Sequence, residues 1–334
     1  MEWYLPVIWA GILGIAVAMY VILDGFDLGV GILFPATDKE EKRDVMMNSV
    51  APFWDGNETW LVLGGGALWV AFPMAYAIIM PGHYLAVIGM LLALVLRGVS
   101  FEFRWVAKPQ HRKWDIAFVL GSTLAAFFQG TILGSLLQGV EVVDGQFAGG
   151  PFDWLTPFSV FVGLAVVAGY GLLGATWLVM RTTGPVQDLG RRWAVPLLGA
   201  VMVAMAIVSL WSPLGSEHVA ERWFSTPNIY FLWPVPLITG LIALATWRAI
   251  RRGAEIFPFV GTILLFLLSF LGLVISAVPY IVPPDLTFWD ASGAASSQIF
   301  LLIGTIFLFP LVIGYTVFVY WAFRGKVSPG EGYH

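Results

Sequence analysis

Runs of about twenty uncharged, apolar residues, such as 61–80, recur along this chain and are separated by short polar stretches. A hydrocarbon core roughly 30 Å thick takes about 20 helical residues to cross, and backbone inside it must satisfy its own hydrogen bonds. Such runs therefore read as transmembrane helices, and the chain as an all-α integral membrane protein. With 59% of its 334 residues hydrophobic, 11% charged and a mean hydropathy of +0.83, it lies far from an ordinary soluble domain. On the bilayer ruler it divides into nine spans, near 5–34, 53–80, 82–103, 115–138, 156–180, 192–211, 229–248, 256–281 and 297–323. The longest connections, 36–52, 139–155 and 212–228, are too short for a soluble domain, so 1–334 reads as a single polytopic membrane domain. Met1-Glu2-Trp3-Tyr4 lacks a basic n-region and the apolar run behind it is long, which predicts an uncleaved first span.

Lys and Arg set the orientation. The segments after spans 1, 3, 5, 7 and 9 hold 15 of the 17 basic residues; the opposite side holds Arg222, and Arg97 lies within a span. This alternation predicts an N-out, C-in topology. Tryptophans and tyrosines near span ends, among them Trp3, Trp154, Trp193, Trp233 and Trp321, read mostly as interfacial anchors. Glycines inside the spans, as in Gly64-Gly65-Gly66 and at Gly29 and Gly31, predict a tight Gly-rich bundle with short loops. Pro73 is expected to kink span 2 and Pro258 to sit in the first turn of span 8. Phe53-Trp54-Asp55 recurs as Phe288-Trp289-Asp290, where Asp290 reads as a cap of span 9.

A net charge of −4 with scattered basic residues gives no reason to expect a nucleic-acid partner. Zero cysteines exclude disulfides, Cys-held zinc, iron–sulfur clusters and thiolate-ligated haem. Of four histidines none lies mid-span: His83 is at the start of span 3, His111 and His218 are in loops, and His334 ends the chain. A haem in a helical bundle takes ligands from facing helices, so no cofactor is expected in this chain, a Met–His pair through His83 being remote.

The chemistry concentrates in charges that a membrane disfavours. Asp24 and Asp27 are three residues apart on span 1, and Asp55 and Glu58 are three apart on span 2, so each pair shares a helix face. Span 3 brings Arg97 and then Glu102 to the same depth. One reading is structural: Asp55 caps span 2, Asp24 and Asp27 are hydrated at the interface, and Arg97 neutralises one of them. Four carboxylates against one intramembrane arginine argue for a second, a proton pathway. An ionised Asp at mid-helix costs about 2.5–3.5 kcal/mol on insertion scales, and intramembrane acids commonly serve proton relays.

At these residues the chain resembles subunit II of the cytochrome bd-type quinol oxidases. The resemblance rests on Asp24-Gly25-Phe26-Asp27-Leu28-Gly29-Val30-Gly31, on Asn48-Ser49-Val50-Ala51-Pro52-Phe53-Trp54-Asp55-Gly56-Asn57-Glu58-Thr59-Trp60-Leu61 and on Gly65-Gly66-Ala67-Leu68, with looser agreement later. A short outer loop at 212–228 looks like the cyanide-insensitive branch. The resemblance implies a multi-pass subunit of the bacterial cytoplasmic (inner) membrane that pairs with a haem-bearing subunit I. Haems b and d, or b only, and the quinol site would belong to that partner, whose complex oxidises quinol and reduces oxygen to water. A small single-helix subunit, and quinone or lipid bound in this chain, are further candidates. It also implies a cytoplasmic proton inlet at Asp55, with Asp24 and Asp27 in the family's other acidic motif; Arg97 and Glu102 are added from charge and depth alone. Two rivals stay open: a free-standing proton-coupled transporter, and a passive assembly scaffold.

Overall fold

The computed structural model describes residues 3–327, so the readings that used Met1, Glu2 and His334 lie outside the described residues. Twelve α-helices carry the fold: α1 Leu5–Leu33, α2 Glu40–Asn48, α3 Trp54–Ala71, α4 Pro73–Val106, α5 Arg112–Gln138, α6 Pro157–Arg181, α7 Gly184–Gly215, α8 Glu217–Phe224, α9 Asn228–Leu232, α10 Pro234–Arg251, α11 Phe257–Ala277 and α12 Ala295–Ala322. Among the described residues eight helical segments are long and apolar enough to cross a membrane, α9 and α10 counting as one. The connections expected to be loops are partly ordered. The short helix α2 fills the first, a hairpin pairing Val142–Val143 with Gln146–Phe147 the second, and α8 with α9 the third.

Span 2 departs from expectation. The helix ends at Ala71, and Phe72 (φ −132°, ψ 61°) separates it from α4, which begins at Pro73. Pro73 therefore starts a helix rather than kinking one, because it has no N–H for the Trp69 carbonyl and disfavours helical geometry at Phe72. The stretch 73–82 packs Ala75, Ile78 and Ile79 into a cluster with Trp9, Val282, Leu286 and Ala291. At His83 (φ −125°, ψ 16°), just after Pro81, α4 kinks and runs on to Val106. Pro258 does occupy the first turn of α11. Trp154 is buried rather than anchoring an interface, its indole donating to the Pro151 carbonyl. Asp290 does not cap α12, whose cap position is Ala294; it accepts hydrogen bonds from the Thr287 amide and hydroxyl and closes the turn before it.

The centre of the bundle is the crossing of α1 with α6, flanked by α5. A Cβ on Gly29 would lie 1.9 Å from the Tyr170 carbonyl oxygen, and one on Gly174 2.3 Å from the Gly29 carbonyl carbon. Only glycines permit this approach, and dispersion between closely apposed backbones drives helix association in lipid. Beside it Phe26 stacks on Trp177 with ring centroids 3.9 Å apart. This contact fixes the rotation of α1, and with it the direction in which Asp24 and Asp27 face.

Candidate functional site: a buried carboxylate cluster

Asp24, Asp27 and Arg97 are fully buried. The Arg97 guanidinium reaches Asp24 Oδ1 at 2.7 Å and Glu58 Oε1 at 3.3 Å, and its Cζ lies 5.9 Å from the Trp54 ring centre. Trp54 is stacked on Phe101 at 4.9 Å, so one face of the arginine is closed by an aromatic pair. Asn57 Nδ2 donates to Asp27 Oδ2 at 2.6 Å and to the Leu23 carbonyl at 3.1 Å. The Tyr320 hydroxyl, from α12, donates to Asn57 Oδ1 at 3.1 Å. Helices α1, α3, α4 and α12 thus converge on one spot.

The three-residue spacing puts each pair of acids on one helix face, and the structure brings three of the four acids together. Arg97 pairs with Asp24 and Glu58, and Asp27 joins them through Asn57, leaving negative charge in excess by two if all three carboxylates are ionised. Asp24 Oδ2, Asp27 Oδ1 and Arg97 Nε find no hydrogen-bond partner among the described residues. Asp55 is in the first turn of α3 but on its exposed side, three residues before Glu58. It does not cap the helix; Phe53 occupies that position without a side-chain cap. Glu102 is exposed on α4 and has no ion pair among the described residues.

A second polar chain leaves the cluster through α5. Tyr20 precedes Asp24 by one turn on the same face, the Gln129 amide donates to the Tyr20 hydroxyl at 2.7 Å, and the Tyr170 hydroxyl donates to Gln129 Oε1 at 2.7 Å. Gln129 was not singled out in the sequence, although an amide well inside an apolar span is a signal that could have found it. Tyr20, Tyr170 and Tyr320 carried no such signal, since tyrosine is ordinary in membrane helices.

Sequence reasoning also missed a clamp at the far end of α4. Arg104, read as a loop residue, is fully buried and bonds Asp115 and Asp44, each at 2.6 Å. Arg43 joins Asp115 at 3.0 Å and Lys108 joins Asp44 at 2.7 Å. These pairs tie α2, α4 and α5 together just beyond the carboxylate cluster.

As to cofactors, no group of three or more His, Cys, Asp or Glu side chains suited to a metal ion occurs among the described residues. Buried His83 donates from Nδ1 to the Ile79 carbonyl at 2.9 Å, which ties one of its ring nitrogens to its own helix, and two clefts, one between α7 and α10 and one between α1, α3 and α12, carry no histidine in their linings. One of these clefts is an apolar groove of about 190 Å³ between α1, α3 and α12, lined by Trp9, Leu63 and Phe309 among others.

Comparison with known proteins supplies the remaining observation. Residues 5–323 match the family model for cytochrome bd terminal oxidase subunit II. The chain is 32% identical to cytochrome bd-I ubiquinol oxidase subunit 2 of Escherichia coli strain K12, over 96% of this chain and 94% of that protein. It is 30% identical to cytochrome bd ubiquinol oxidase subunit 2 of Bacillus subtilis strain 168, over 97% of each. A chain in the structure of the bd oxidase from Geobacillus thermodenitrificans shares the fold, with a TM-score of 0.78 at 18% identity over 96% of this chain and 98% of that one.

Proposed function

The chain belongs to the cytochrome bd terminal oxidase subunit II family, and from that premise we propose that its carboxylate cluster carries protons from the cytoplasm toward the oxygen-reducing centre of its partner. It is a non-haem subunit of a quinol oxidase of the bacterial inner membrane, assembled with a subunit I that holds the haems. The finer reading is a single polytopic unit of nine spans, N-out and C-in. Helix α3 serves as the span beyond the eight: its 18 residues reach about 27 Å at 1.5 Å each, close to the hydrocarbon thickness. The basic loops support the orientation. Helix α12 buries only Gln298 within the chain, so its apolar flank and the neighbouring face of α3 are the proposed seat of subunit I.

The observation that carries the relay is the imbalance around Arg97. At the Arg104 clamp the two acids are shared with Arg43 and Lys108, whereas here Arg97 alone meets Asp24 and Glu58, with Asp27 buried beside them through Asn57, and unpaired charge inside a membrane is costly enough to mark a function. Asp55, at the mouth of α3, takes up the proton and passes it to Glu58 one turn further on. Glu58, Asp24 and Asp27 then exchange it around the fixed charge of Arg97. Asn57 and Tyr320 hold Asp27 in place. The haems supply the oxygen chemistry in the partner, and this chain's residues move protons only. The apolar groove between α1, α3 and α12 would take an acyl or isoprenoid tail, lipid or quinone. A small single-helix subunit would find room on the remaining exposed flanks.

The test is Asp55→Asn and Glu58→Gln in the assembled oxidase. Both complexes should keep their haem spectrum while losing most quinol-driven oxygen consumption and charge translocation. Normal turnover in both would leave the chain a passive scaffold.

A further inference from the structure

At the end of the bundle that carries the basic loops, α7 and α10 part around a cleft of about 490 Å³. Three arginines, Arg191, Arg192 and Arg251, face one carboxylate, Asp188, over a floor of Val195, Pro196 and Ile250. Arg191 is held in place by the Gly253 and Ala254 carbonyls, at 2.8 and 3.1 Å, which orient its guanidinium without neutralising it. Arg192 and Arg251 are exposed and make no ion pair among the described residues. The nearby Glu255 is engaged by Lys326 at 2.7 Å and Gln187 at 3.1 Å. Arg104 and Lys108, at the same end, are by contrast matched by acids. The lining therefore carries three arginines against one carboxylate, with Glu255 within electrostatic reach of Arg191 from outside it.

Its surroundings say which anion fits. Trp193, next to Arg192 on α7, and Trp247, on α10, are each 41% exposed, and tryptophans near the ends of membrane helices mark headgroup depth. Trp247 lies one turn before Arg251 on the same face. The valine, proline and isoleucine of the floor offer nothing to a small hydrated ion, but they match the glycerol and upper acyl carbons of a lipid. Basic pockets between membrane helices on the cytoplasmic side recognise anionic lipid headgroups. Helix α10 packs on α7 and α11, whereas α12, the proposed seat of subunit I, packs on α3 and α1, so the cleft opens on another flank.

We propose that the cleft between α7 and α10 binds the phosphodiester headgroup of an anionic phospholipid. The comparison with cytoplasmic-side basic pockets, and with it the inner leaflet, rests on the orientation proposed above; the excess of arginines and the apolar lining do not.

Native mass spectrometry of the whole oxidase, titrated with phosphatidylglycerol, phosphatidylcholine or inorganic phosphate, tests this. Wild type should retain one phosphatidylglycerol that Arg192→Gln/Arg251→Gln loses. The double variant should bind it roughly thirty-fold more weakly, at about fivefold per arginine. Arg248→Gln, an exposed arginine outside the cleft, should change little. Equal retention in the double variant, an equal loss in Arg248→Gln, or displacement by inorganic phosphate at matched concentration would each overturn the site. Lipid occupancy is indifferent to proton transfer and to orientation. Since the chain has no cysteine, Arg252→Cys reports the leaflet separately by its labelling from either side.

Discussion

Replacing Arg97 by glutamine removes the cation that pairs with the carboxylate cluster among the described residues. Asp24, fully buried and 2.7 Å from the guanidinium, would be left without a counter-ion, to hold a bare charge or take up a proton at a cost. Breaking a buried pair from one side costs about 3–5 kcal/mol, because the survivor's desolvation is left uncompensated. The contact to Glu58 adds little, at most about 1 kcal/mol, since it is longer at 3.3 Å and the Glu58 side chain is 26% exposed. Arg97→Gln should therefore destabilise the subunit by about 3–5 kcal/mol, while Arg97→Gln/Asp24→Asn, which removes both charges, should recover at least about 2 kcal/mol of that. The assay is the fraction of intact complex left after heating in mild detergent at one fixed temperature, comparing wild type, both single variants and the double variant. If Arg97→Gln survives as well as wild type, or the double variant is no better than Arg97→Gln, the two groups are not coupled and the reasoning fails.

Gly29→Ala should prevent assembly of the subunit, measured as complex recovered from membranes, because its Cβ would overlap the Tyr170 carbonyl oxygen at 1.9 Å; Gly11→Ala, with nothing within 4 Å, should be neutral. Outside the spans, hydrogen bonds from Lys326 and Gln187 hold the Glu255 carboxyl below its usual range. A depressed folded-state value contributes stability that is present above the unfolded value, near about 4.3, and is lost as pH falls through the folded one. Docking of the segment after α12, where the Val327 amide bonds the Arg181 carbonyl at 2.8 Å, should thus be unchanged from about pH 5 upward and loosen only in stronger acid. Hydrogen exchange at Val327 reads this out; loosening near neutral pH would contradict it, and Lys326→Ala should weaken the acid response.

The sequence by itself determined most of the long apolar helices, eight of which are long and apolar enough among the described residues to cross a membrane, and that acids gather on α1 and at the start of α3. Lipid leaves the backbone no other partner, so hydropathy alone forces each apolar run into a helix, and observed ends such as Pro157–Arg181 and Ala295–Ala322 fall within a few residues of expectation. The three-residue spacings of Asp24 with Asp27 and Asp55 with Glu58 were legible for the same reason, since helical geometry is fixed once the helix is. Only the tertiary structure decided which charges meet. A helix apolar on every side carries no signal for its rotation, and that rotation is set by contacts between residues far apart in sequence, such as Gly29 against Tyr170 and Phe26 against Trp177. Those contacts turn Asp24 and Asp27 inward to Arg97 and Asn57. They leave Asp55 and Glu102 exposed, and Arg104, which looked like a loop residue, fully buried. The boundary at Phe72 belongs to the same class. Proline forbids one hydrogen bond at Pro73, but whether the chain bends or ends its helix there depends on what Ala75, Ile78 and Ile79 can pack against.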